Sequence, residues 1–268
     1  MKGMVKQMKR IAIGIIVCLA TLQVHAMEWT SNLDITALFQ KHSVNGTFVV
    51  YDVTAGKLTG HNERRAAQRF IPASTFKIPN TLIGLPVGSV NSVDEVLPYG
   101  GKPQPYKTWE KDMSLRDAIV ISNVPVYQEL ARRTGLERMQ QNVIKLGYGN
   151  QDIGAAVETF WLKGPLKISA IEQVQFLAAL AKNQLPVAAE FQQATSEILL
   201  IEQDDHHKLY GKTGWQNAPN EGVGWWVGWV QKDDRHYAFA LNMQMQQESD
   251  APIRIEIGKA ALKALGIL

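Results

Sequence analysis

Cysteine is almost absent, since the 268-residue chain contains only Cys18. A single thiol cannot form an intrachain disulfide or supply the cysteine ligands of a structural zinc site. Cys18 lies in an N-terminal segment that we predict to be removed, which leaves the mature chain without a thiol. A lipid anchor on Cys18 is the alternative, but the preceding Val17 is larger than the small residue expected there. Any nucleophile of the mature chain must therefore be another side chain.

Long apolar runs are lacking as well. The apolar run near the N-terminus, Ile11 to Ala20, is shorter than the about 20 residues that span a bilayer. Four basic residues precede this run and small residues lead up to Ala26, which is the pattern of a secretory signal peptide. We predict a signal peptide at 1–26, cleavage near Ala26, export to the bacterial periplasm and no stable membrane anchor after cleavage.

An excess of positive charge is also missing once the signal peptide is set aside. The four basic residues of 1–26 are 4 of the 28 in the chain, so 24 basic residues face 25 acidic ones in the remainder. Because phosphate binding requires a concentrated basic surface, we predict no nucleic-acid partner. The sequence carries no signal for a particular oligomeric state.

Strand patterns occur near both ends of the chain, and helical patterns lie between them. This arrangement predicts an α/β (α+β) fold in which both ends build a central antiparallel sheet flanked by helices. A mainly helical lobe at roughly 80–200 is inserted into a single domain, 27–268. Ser169 and Glu172 form the pattern of a capping box, which predicts the start of a helix. The predicted strands are 46–53, near Leu58, 207–210, 224–231 and 236–244, and the predicted helices are 33–40, Pro125 to near Gly135, 169–182 and 252–265.

The tryptophan-rich strand has two apolar faces. Trp225, Val227 and Trp229 share one face, while Trp226 and Val230 lie on the other. A stacking platform for sugars or bases would leave one face polar. We therefore predict a central strand that is covered on both sides.

Ser74 and Lys77 stand three residues apart where a helix can begin, so their side chains would share one face. A serine hydroxyl is a weak nucleophile until a base removes its proton, and a lysine can be that base only when it is neutral. Taken alone, the pair is weak evidence for a catalytic site, because a helix cap followed by a surface lysine has the same spacing.

Two later motifs complete an ordered set. Ser122-Asn123-Val124 precedes the helix at Pro125, and Lys212-Thr213-Gly214 follows a predicted strand. A serine and lysine three apart, a second serine in a helical region and Lys-Thr-Gly on a late strand form the signature of penicillin-recognising serine enzymes. The chain resembles that group.

Further segments resemble one branch of the group, the class D (oxacillinase-type) serine β-lactamases. The resemblance extends over essentially all of 27–268, and it implies hydrolysis of β-lactams and resistance to these antibiotics. Class A enzymes differ, because they have Ser-Asp-Asn in place of Ser-Asn-Val and a Glu-x-x-Leu-Asn segment that this chain lacks. The segments are Tyr148-Gly149-Asn150, Trp161-Leu162 within 158–164, and Gly224-Trp225-Trp226-Val227-Gly228-Trp229.

The class D resemblance implies a modified lysine. Lys77, in a pocket walled by Val124 and Leu162, would react with carbon dioxide or bicarbonate to give a carbamate held by the indole N–H of Trp161. A dry pocket lowers a lysine pKa, which makes the neutral amine accessible. The carbamate would take the role of the glutamate with which class A enzymes activate the deacylating water. No further cofactor is implied.

The resemblance also implies the remaining catalytic roles. Ser74 would attack the β-lactam carbonyl, and the backbone N–H groups of Ser74 and Trp215 would hold the oxyanion. Ser122, aided by Lys212, would pass a proton to the departing ring nitrogen.

The small-molecule partner is a β-lactam, whose carboxylate requires a cationic edge. The resemblance assigns this edge to Lys212, Thr213, Gly214 and Arg254, with Val124 and Leu162 also among the substrate-binding residues. Trp109 and Tyr148 are predicted to line the cleft, although Tyr148-Gly149-Asn150 is also an ordinary turn sequence.

Two other interpretations remain open. A penicillin-binding transpeptidase uses the same motifs with a persistent acyl-enzyme, and a β-lactam sensor domain acylates without turnover. A metal site at His206 and His207 is disfavoured, because adjacent residues on an extended chain point in opposite directions. We therefore predict no metal.

Overall fold

The computed structural model describes residues 27–218 and 222–268. The predicted signal peptide at 1–26, with its cleavage position near Ala26, lies outside these residues, as does Cys18. Across the described ranges, no helix is both long enough and apolar enough to cross a membrane.

A seven-stranded sheet forms the centre of the described chain, and a two-stranded ribbon, β4 with β5, lies apart from it. The strands are β1 (Trp29–Ser31), β2 (Gly46–Asp52), β3 (Lys57–His61), β4 (Val96–Leu97), β5 (Met113–Ser114), β6 (Leu200–Gln203), β7 (His207–Gln216), β8 (Val223–Lys232) and β9 (Arg235–Gln244). The order in the large sheet is β1-β3-β2-β9-β8-β7-β6, so strands from both ends of the chain lie side by side. Neighbouring strands are antiparallel apart from β1 with β3. The predicted sheet is confirmed, with one parallel pair at its edge.

Most helices lie between β3 and β6, as predicted for an inserted helical lobe. Helix α8 begins with the predicted capping box, in which Ser169 and Glu172 satisfy each other's backbone N–H groups. The helices are α1 (Leu33–Lys41), α2 (Glu63–Ala67), α3 (Lys77–Gly84), α4 (Leu115–Val120), α5 (Val124–Thr134), α6 (Leu136–Lys145), α7 (Phe160–Lys163), α8 (Ala170–Ala181), α9 (Ala189–Glu197) and α10 (Ala251–Ala264).

The two faces of β8 belong to separate apolar clusters, as the sequence predicts. Trp225, Val227 and Trp229 pack in the cluster that includes α8 and the helices around it. Trp226 and Val230 pack with residues of α1 and α10 on the opposite face. The sheet is therefore a middle layer with helices on both sides, and β8 lies in its interior.

Strand β7 is longer than the predicted segment 207–210, because it continues to Gln216. The glycines at 211 and 214 obscure the strand pattern in the sequence. The extension forms because β8 pairs with β7 along its whole length, from His207 with Lys232 to Gln216 with Val223. Pairing with β8 thus holds Lys212-Thr213-Gly214, on β7, within the sheet.

Candidate active site

Ser74 lies in a short 3₁₀ turn, Ala73–Phe76, and α3 begins only at Lys77. The sequence analysis placed both residues where a helix can begin. A 3₁₀ turn has three residues per turn, so side chains at i and i+3 lie directly above one another. Accordingly, the Lys77 Nζ lies 2.8 Å from the Ser74 Oγ. The turn also holds Ala73 at a φ of 49°, a conformation that non-glycine residues rarely adopt.

Lys77 is buried, with 1% of its surface exposed, although lysines are almost never fully buried. Its Nζ lies 5.3 Å from the centre of the Tyr127 ring. Burial holds the pKa of Lys77 well below its usual value, and the positive charge of Lys212 lowers this pKa further. The neutral amine is therefore favoured, and a neutral amine can accept the hydroxyl proton of Ser74.

Trp161 is fully buried and stacks on Phe76, with ring centres 5.6 Å apart. Its indole Nε1 has no hydrogen-bond acceptor among the described residues. Buried indole N–H groups normally have a partner, because an unsatisfied donor costs about 1–3 kcal/mol. The pocket beside the nucleophile turn thus contains an unused donor.

Strand β7 brings Lys212-Thr213-Gly214 against the nucleophile turn. A Cβ atom built at Gly214 would lie 2.9 Å from the Pro72 carbonyl oxygen and 3.1 Å from the Thr75 Cγ2, so only glycine permits this approach. Lys212 is buried and donates to the Thr213 carbonyl at 3.0 Å. Burial, with a contribution from Arg254, lowers the pKa of Lys212 to about 7.

Arg254 reaches back from the start of α10 to β7. Its Nη1 donates to the Gly214 carbonyl at 2.6 Å and to the Trp225 carbonyl at 3.4 Å. Burial lowers the pKa of Arg254 to about 10, so the guanidinium remains charged at neutral pH. Arg254 therefore places positive charge next to Lys212-Thr213-Gly214 and also fixes the backbone there.

Ser122 occupies a tight turn between α4 and α5, where its φ is 57°. Asn123 follows and caps α5 by accepting a hydrogen bond from the Val126 N–H at 3.1 Å. Half-buried Trp109 anchors the turn, because its Nε1 donates to the Ile121 carbonyl at 3.1 Å. These contacts fix the position of Ser122.

The structure separates Tyr148 from the other predicted cleft residues. Val124, the first residue of α5, and Leu162, within α7, are half-buried, and Trp215 is half-buried one residue after Gly214. Tyr148 is only 1% exposed and packs edge-on against Phe76 and Phe176. The prediction that Tyr148 lines an open cleft is therefore wrong, because its ring belongs to the core behind the nucleophile turn.

Gln173, on α8, is a buried residue that the sequence analysis missed. Its Nε2 donates to the Thr75 Oγ1 at 3.0 Å and to the Tyr148 hydroxyl at 3.2 Å. The Thr75 hydroxyl donates in turn to the Pro72 carbonyl at 2.8 Å. The available signal was a polar residue on the same stripe as Ala170 and Leu177, where a core helix is normally apolar.

Replacing Gln173 with leucine is expected to slow acylation of Ser74 about tenfold, because the nucleophile turn loses its support. Stability should also fall by about 1–2 kcal/mol, since the Thr75 and Tyr148 groups lose a buried partner. Single-turnover kinetics with a penicillin and thermal unfolding measure the two effects.

The matched control is Gln192→Leu. Gln192 is also buried and makes three hydrogen bonds, to the backbone of Leu185 and Val187. This variant should lose stability but keep its acylation rate. Equal losses of acylation in both variants would contradict a positioning role for Gln173.

Comparison with known proteins agrees with this geometry. The penicillin-binding protein transpeptidase domain family matches residues 46–263. The chain is 40% identical to β-lactamase OXA-10 of Pseudomonas aeruginosa, over 95% of this chain and 96% of that protein. It is 39% identical to β-lactamase OXA-48 of Klebsiella pneumoniae, over 89% of this chain and 90% of that protein.

Among solved structures, the chain resembles FUS-1 (OXA-85), a class D β-lactamase from Fusobacterium nucleatum subsp. polymorphum. The TM-score is 0.87 at 43% identity, covering 89% of this chain and 100% of the other. Sequence identity and fold agree over nearly the whole length of these relatives, and the chain belongs to the class D β-lactamases.

Proposed function

We propose that this protein hydrolyses β-lactam antibiotics through an acyl-enzyme at Ser74, with Lys77 as general base in its carbamylated form. The observation that carries the proposal is the 2.8 Å approach of the Lys77 amine to the Ser74 hydroxyl in a buried pocket. The β-lactamase names of its relatives support the same reaction.

The pocket suits a carbamate on Lys77. A neutral amine is the form that reacts with carbon dioxide, and burial favours that form here. The buried Trp161 N–H, which has no acceptor among the described residues, would donate to the new carboxylate. When formed, the carbamate supplies an anionic base at neutral pH.

Acylation begins when Lys77 takes the hydroxyl proton of Ser74 and the Ser74 Oγ attacks the β-lactam carbonyl carbon. The backbone N–H groups of Ser74 and Trp215 hold the developing oxyanion. The close approach of Gly214 to the nucleophile turn supports this pairing. The carbon–nitrogen bond of the ring then breaks, and Ser122 passes a proton to the nitrogen. Lys212, with a pKa of about 7, can supply and recover that proton near neutrality.

Deacylation uses the same base. Once the proton that Lys77 took from Ser74 has returned to Lys212, Lys77 takes a proton from water, and the water oxygen attacks the ester carbonyl of the Ser74 acyl-enzyme. As the ester carbon–oxygen bond breaks, Lys77 returns the proton to the Ser74 Oγ, which restores the hydroxyl and releases a ring-opened product with a new carboxylate. The hydrolysed antibiotic is inactive, so we infer that the protein confers β-lactam resistance. We further propose export to the periplasm after removal of residues 1–26.

Recognition of the substrate carboxylate falls to Lys212, Thr213 and Arg254. Replacing Arg254 with methionine is expected to raise the KM for a penicillin about 10- to 100-fold, the cost of losing a charge-assisted hydrogen bond. The kcat should fall less, although the Gly214 carbonyl also loses a donor. Steady-state kinetics separate the two constants.

The matched control is Arg65→Met. Burial lowers the pKa of Arg65 to about 10, as it does for Arg254, but Arg65 bonds to Asn242 on β9. An increase in KM of the same size in both variants would contradict the assignment of the carboxylate to Arg254.

The transpeptidase match over 46–263 favours one alternative, an enzyme or sensor domain that acylates without rapid turnover. Hydrolysis of a penicillin by the purified protein, followed alongside intact mass, distinguishes the two. Catalytic turnover that disappears in Ser74→Ala supports the proposal. A stable penicilloyl adduct on Ser74 without turnover would replace it with the alternative.

A further inference from the structure

Tyr127, on α5, lies against both the amine and the backbone of Lys77. The Lys77 Nζ lies over the Tyr127 ring, 5.3 Å from the ring centre. The Tyr127 hydroxyl lies 3.1 Å from the Thr81 Oγ1, which in turn donates to the Lys77 carbonyl at 2.9 Å. The face of the ring is thus placed beside the proposed general base, although none of the steps proposed for acylation and deacylation uses it.

The Tyr127 ring is fixed in this position. Because the Thr81 hydroxyl proton is committed to the Lys77 carbonyl, the Tyr127 hydroxyl is the donor in its contact with Thr81. The Asn80 Nδ2 also donates to the Tyr127 carbonyl at 3.1 Å. Asn80 and Thr81 both belong to α3, so α5 is bonded to the helix that begins at Lys77. We therefore expect the ring to keep its face toward the amine in each charge state of Lys77.

The face of an aromatic ring carries partial negative charge. It attracts a cation within about 6 Å of the ring centre and repels an anion. Such a contact is stronger when both groups are removed from water, as they are here, since Lys77 is 1% exposed and Tyr127 is fully buried. The ring should therefore stabilise the protonated amine of Lys77 and disfavour a carboxylate at the same place.

The other groups around the amine act in the opposite direction. Burial and the positive charge of Lys212, on β7, both favour the neutral amine of Lys77. The Ser74 hydroxyl, 2.8 Å away, carries no charge. Burial raises the pKa of the Tyr127 phenol, so the ring also remains neutral. The charge state of Lys77 is thus a balance in which the Tyr127 ring opposes the rest of the pocket.

We propose that Tyr127 is a positioning residue whose ring face opposes carbamylation of Lys77 and thereby sets the amount of bicarbonate that the enzyme requires. The inference rests on the proposed function, in which the carbamate is the working base. In carbamylation, the neutral Nζ bonds to the carbon of carbon dioxide and releases one proton to solvent. A protonated Nζ cannot form this bond, and the product has the charge that the ring face repels. A ring of the same shape with a less negative face should therefore make carbamylation more favourable.

The test compares Tyr127→Phe with the same protein carrying trifluorophenylalanine at position 127. Three ring fluorines withdraw electron density from the face and leave the shape of the ring nearly unchanged. A bicarbonate titration of penicillin hydrolysis at pH 6 should show a half-saturating concentration about fivefold lower with the fluorinated ring, the factor that corresponds to about 1 kcal/mol of cation–π attraction. Tyr127→Phe retains the ring face, so it should keep the requirement of the wild type and lose only stability.

The matched control is trifluorophenylalanine in place of Phe239, which is also fully buried but packs in the cluster on the opposite face of the sheet. This variant should keep the bicarbonate requirement of the wild type. The carbon-13 signal of the carbamate gives the same half-saturating concentration without turnover, and thermal unfolding checks that each protein is folded.

A purely structural role for Tyr127 gives a different result. An unchanged or higher bicarbonate requirement with the fluorinated ring at position 127 would overturn the inference. An equal decrease in the Phe239 control would also overturn it. If the wild type hydrolyses penicillin without dependence on bicarbonate and gives no carbamate signal, the carbamylated base of the proposed function is rejected. That result is distinct from failure of the role of Tyr127, in which the wild type is carbamylated and fluorination has no effect.

Discussion

Replacing Lys77 with methionine is expected to abolish β-lactam turnover and to stabilise the fold. Loss of the general base should lower kcat by at least about 10³-fold. The folded protein buries the Lys77 amine and holds its pKa well below the usual value, so folding near neutrality has to discharge it. Methionine fills the same space without this cost, so the free energy of unfolding at pH 7 should be higher than that of the wild type.

The gain in stability should depend on pH with a defined sign. Between the lowered folded pKa of Lys77 and its unfolded value of about 10.5, the unfolded wild type binds one more proton than the folded protein. The wild type therefore becomes less stable as pH falls through this window. The difference between variant and wild type should grow by up to about 1.4 kcal/mol per pH unit, and it should vanish above the unfolded pKa.

Chemical unfolding from pH 7 to 10 in buffer depleted of carbon dioxide measures this difference. Ser74→Ala serves as the control, since it should lose turnover without the pH-dependent gain. A Lys77→Met variant that is less stable than the wild type at every pH would show that the buried amine contributes stabilising contacts instead.

Trp161→Phe is expected to lower kcat about 100-fold at ambient carbon dioxide and to recover in part when bicarbonate is added. Phenylalanine preserves the stack on Phe76 but removes the N–H that would hold the carbamate. Loss of a hydrogen bond to a charged group costs roughly 1.5–3 kcal/mol, so the variant should need correspondingly more bicarbonate. A bicarbonate titration of penicillin hydrolysis gives the half-saturating concentration for each protein.

Trp229→Phe is the matched control, because Trp229 is also buried and stacks on an aromatic ring, that of Tyr210. Both substitutions create a small cavity, so both should reduce stability. Only Trp161→Phe should change the bicarbonate requirement. An unchanged requirement in Trp161→Phe would leave the unsatisfied indole N–H without a role in catalysis.

Local patterns were sufficient to predict much of the fold. The alternation along β8 identified two covered faces, and Ser169 with Glu172 marked the start of α8. The length of β7 was missed, because its pairing with β8 depends on residues distant in sequence. Strand β6 was missed as well, since its residues are exposed and form a bulge instead of alternating.

The same distinction between local and long-range features holds for the candidate active site. The spacing of Ser74 and Lys77 predicted their contact, because three residues is a local geometric relation. The burial of Tyr148 and the support from Gln173 depend on how α8 packs behind the nucleophile turn. Packing of that kind involves three separate segments of the chain, and no spacing in the sequence encodes it.

The hydrogen bond from Arg254 to the Gly214 carbonyl has a further consequence for the site. The same guanidinium that is assigned to the substrate carboxylate also fixes the backbone of Gly214, the residue before the proposed oxyanion donor, Trp215. Substrate recognition and oxyanion binding are therefore linked through one side chain. This linkage explains why we expect Arg254→Met to affect kcat as well as KM.

The most direct test of the central claim combines carbon-13 NMR with turnover in one bicarbonate titration. In labelled bicarbonate, the wild type should give a carbamate signal that is absent from Lys77→Met. The signal and the kcat for a penicillin should rise together with the same half-saturating concentration. Full turnover in buffer depleted of carbon dioxide, with no carbamate signal, would contradict the account and assign the base to the unmodified amine of Lys77.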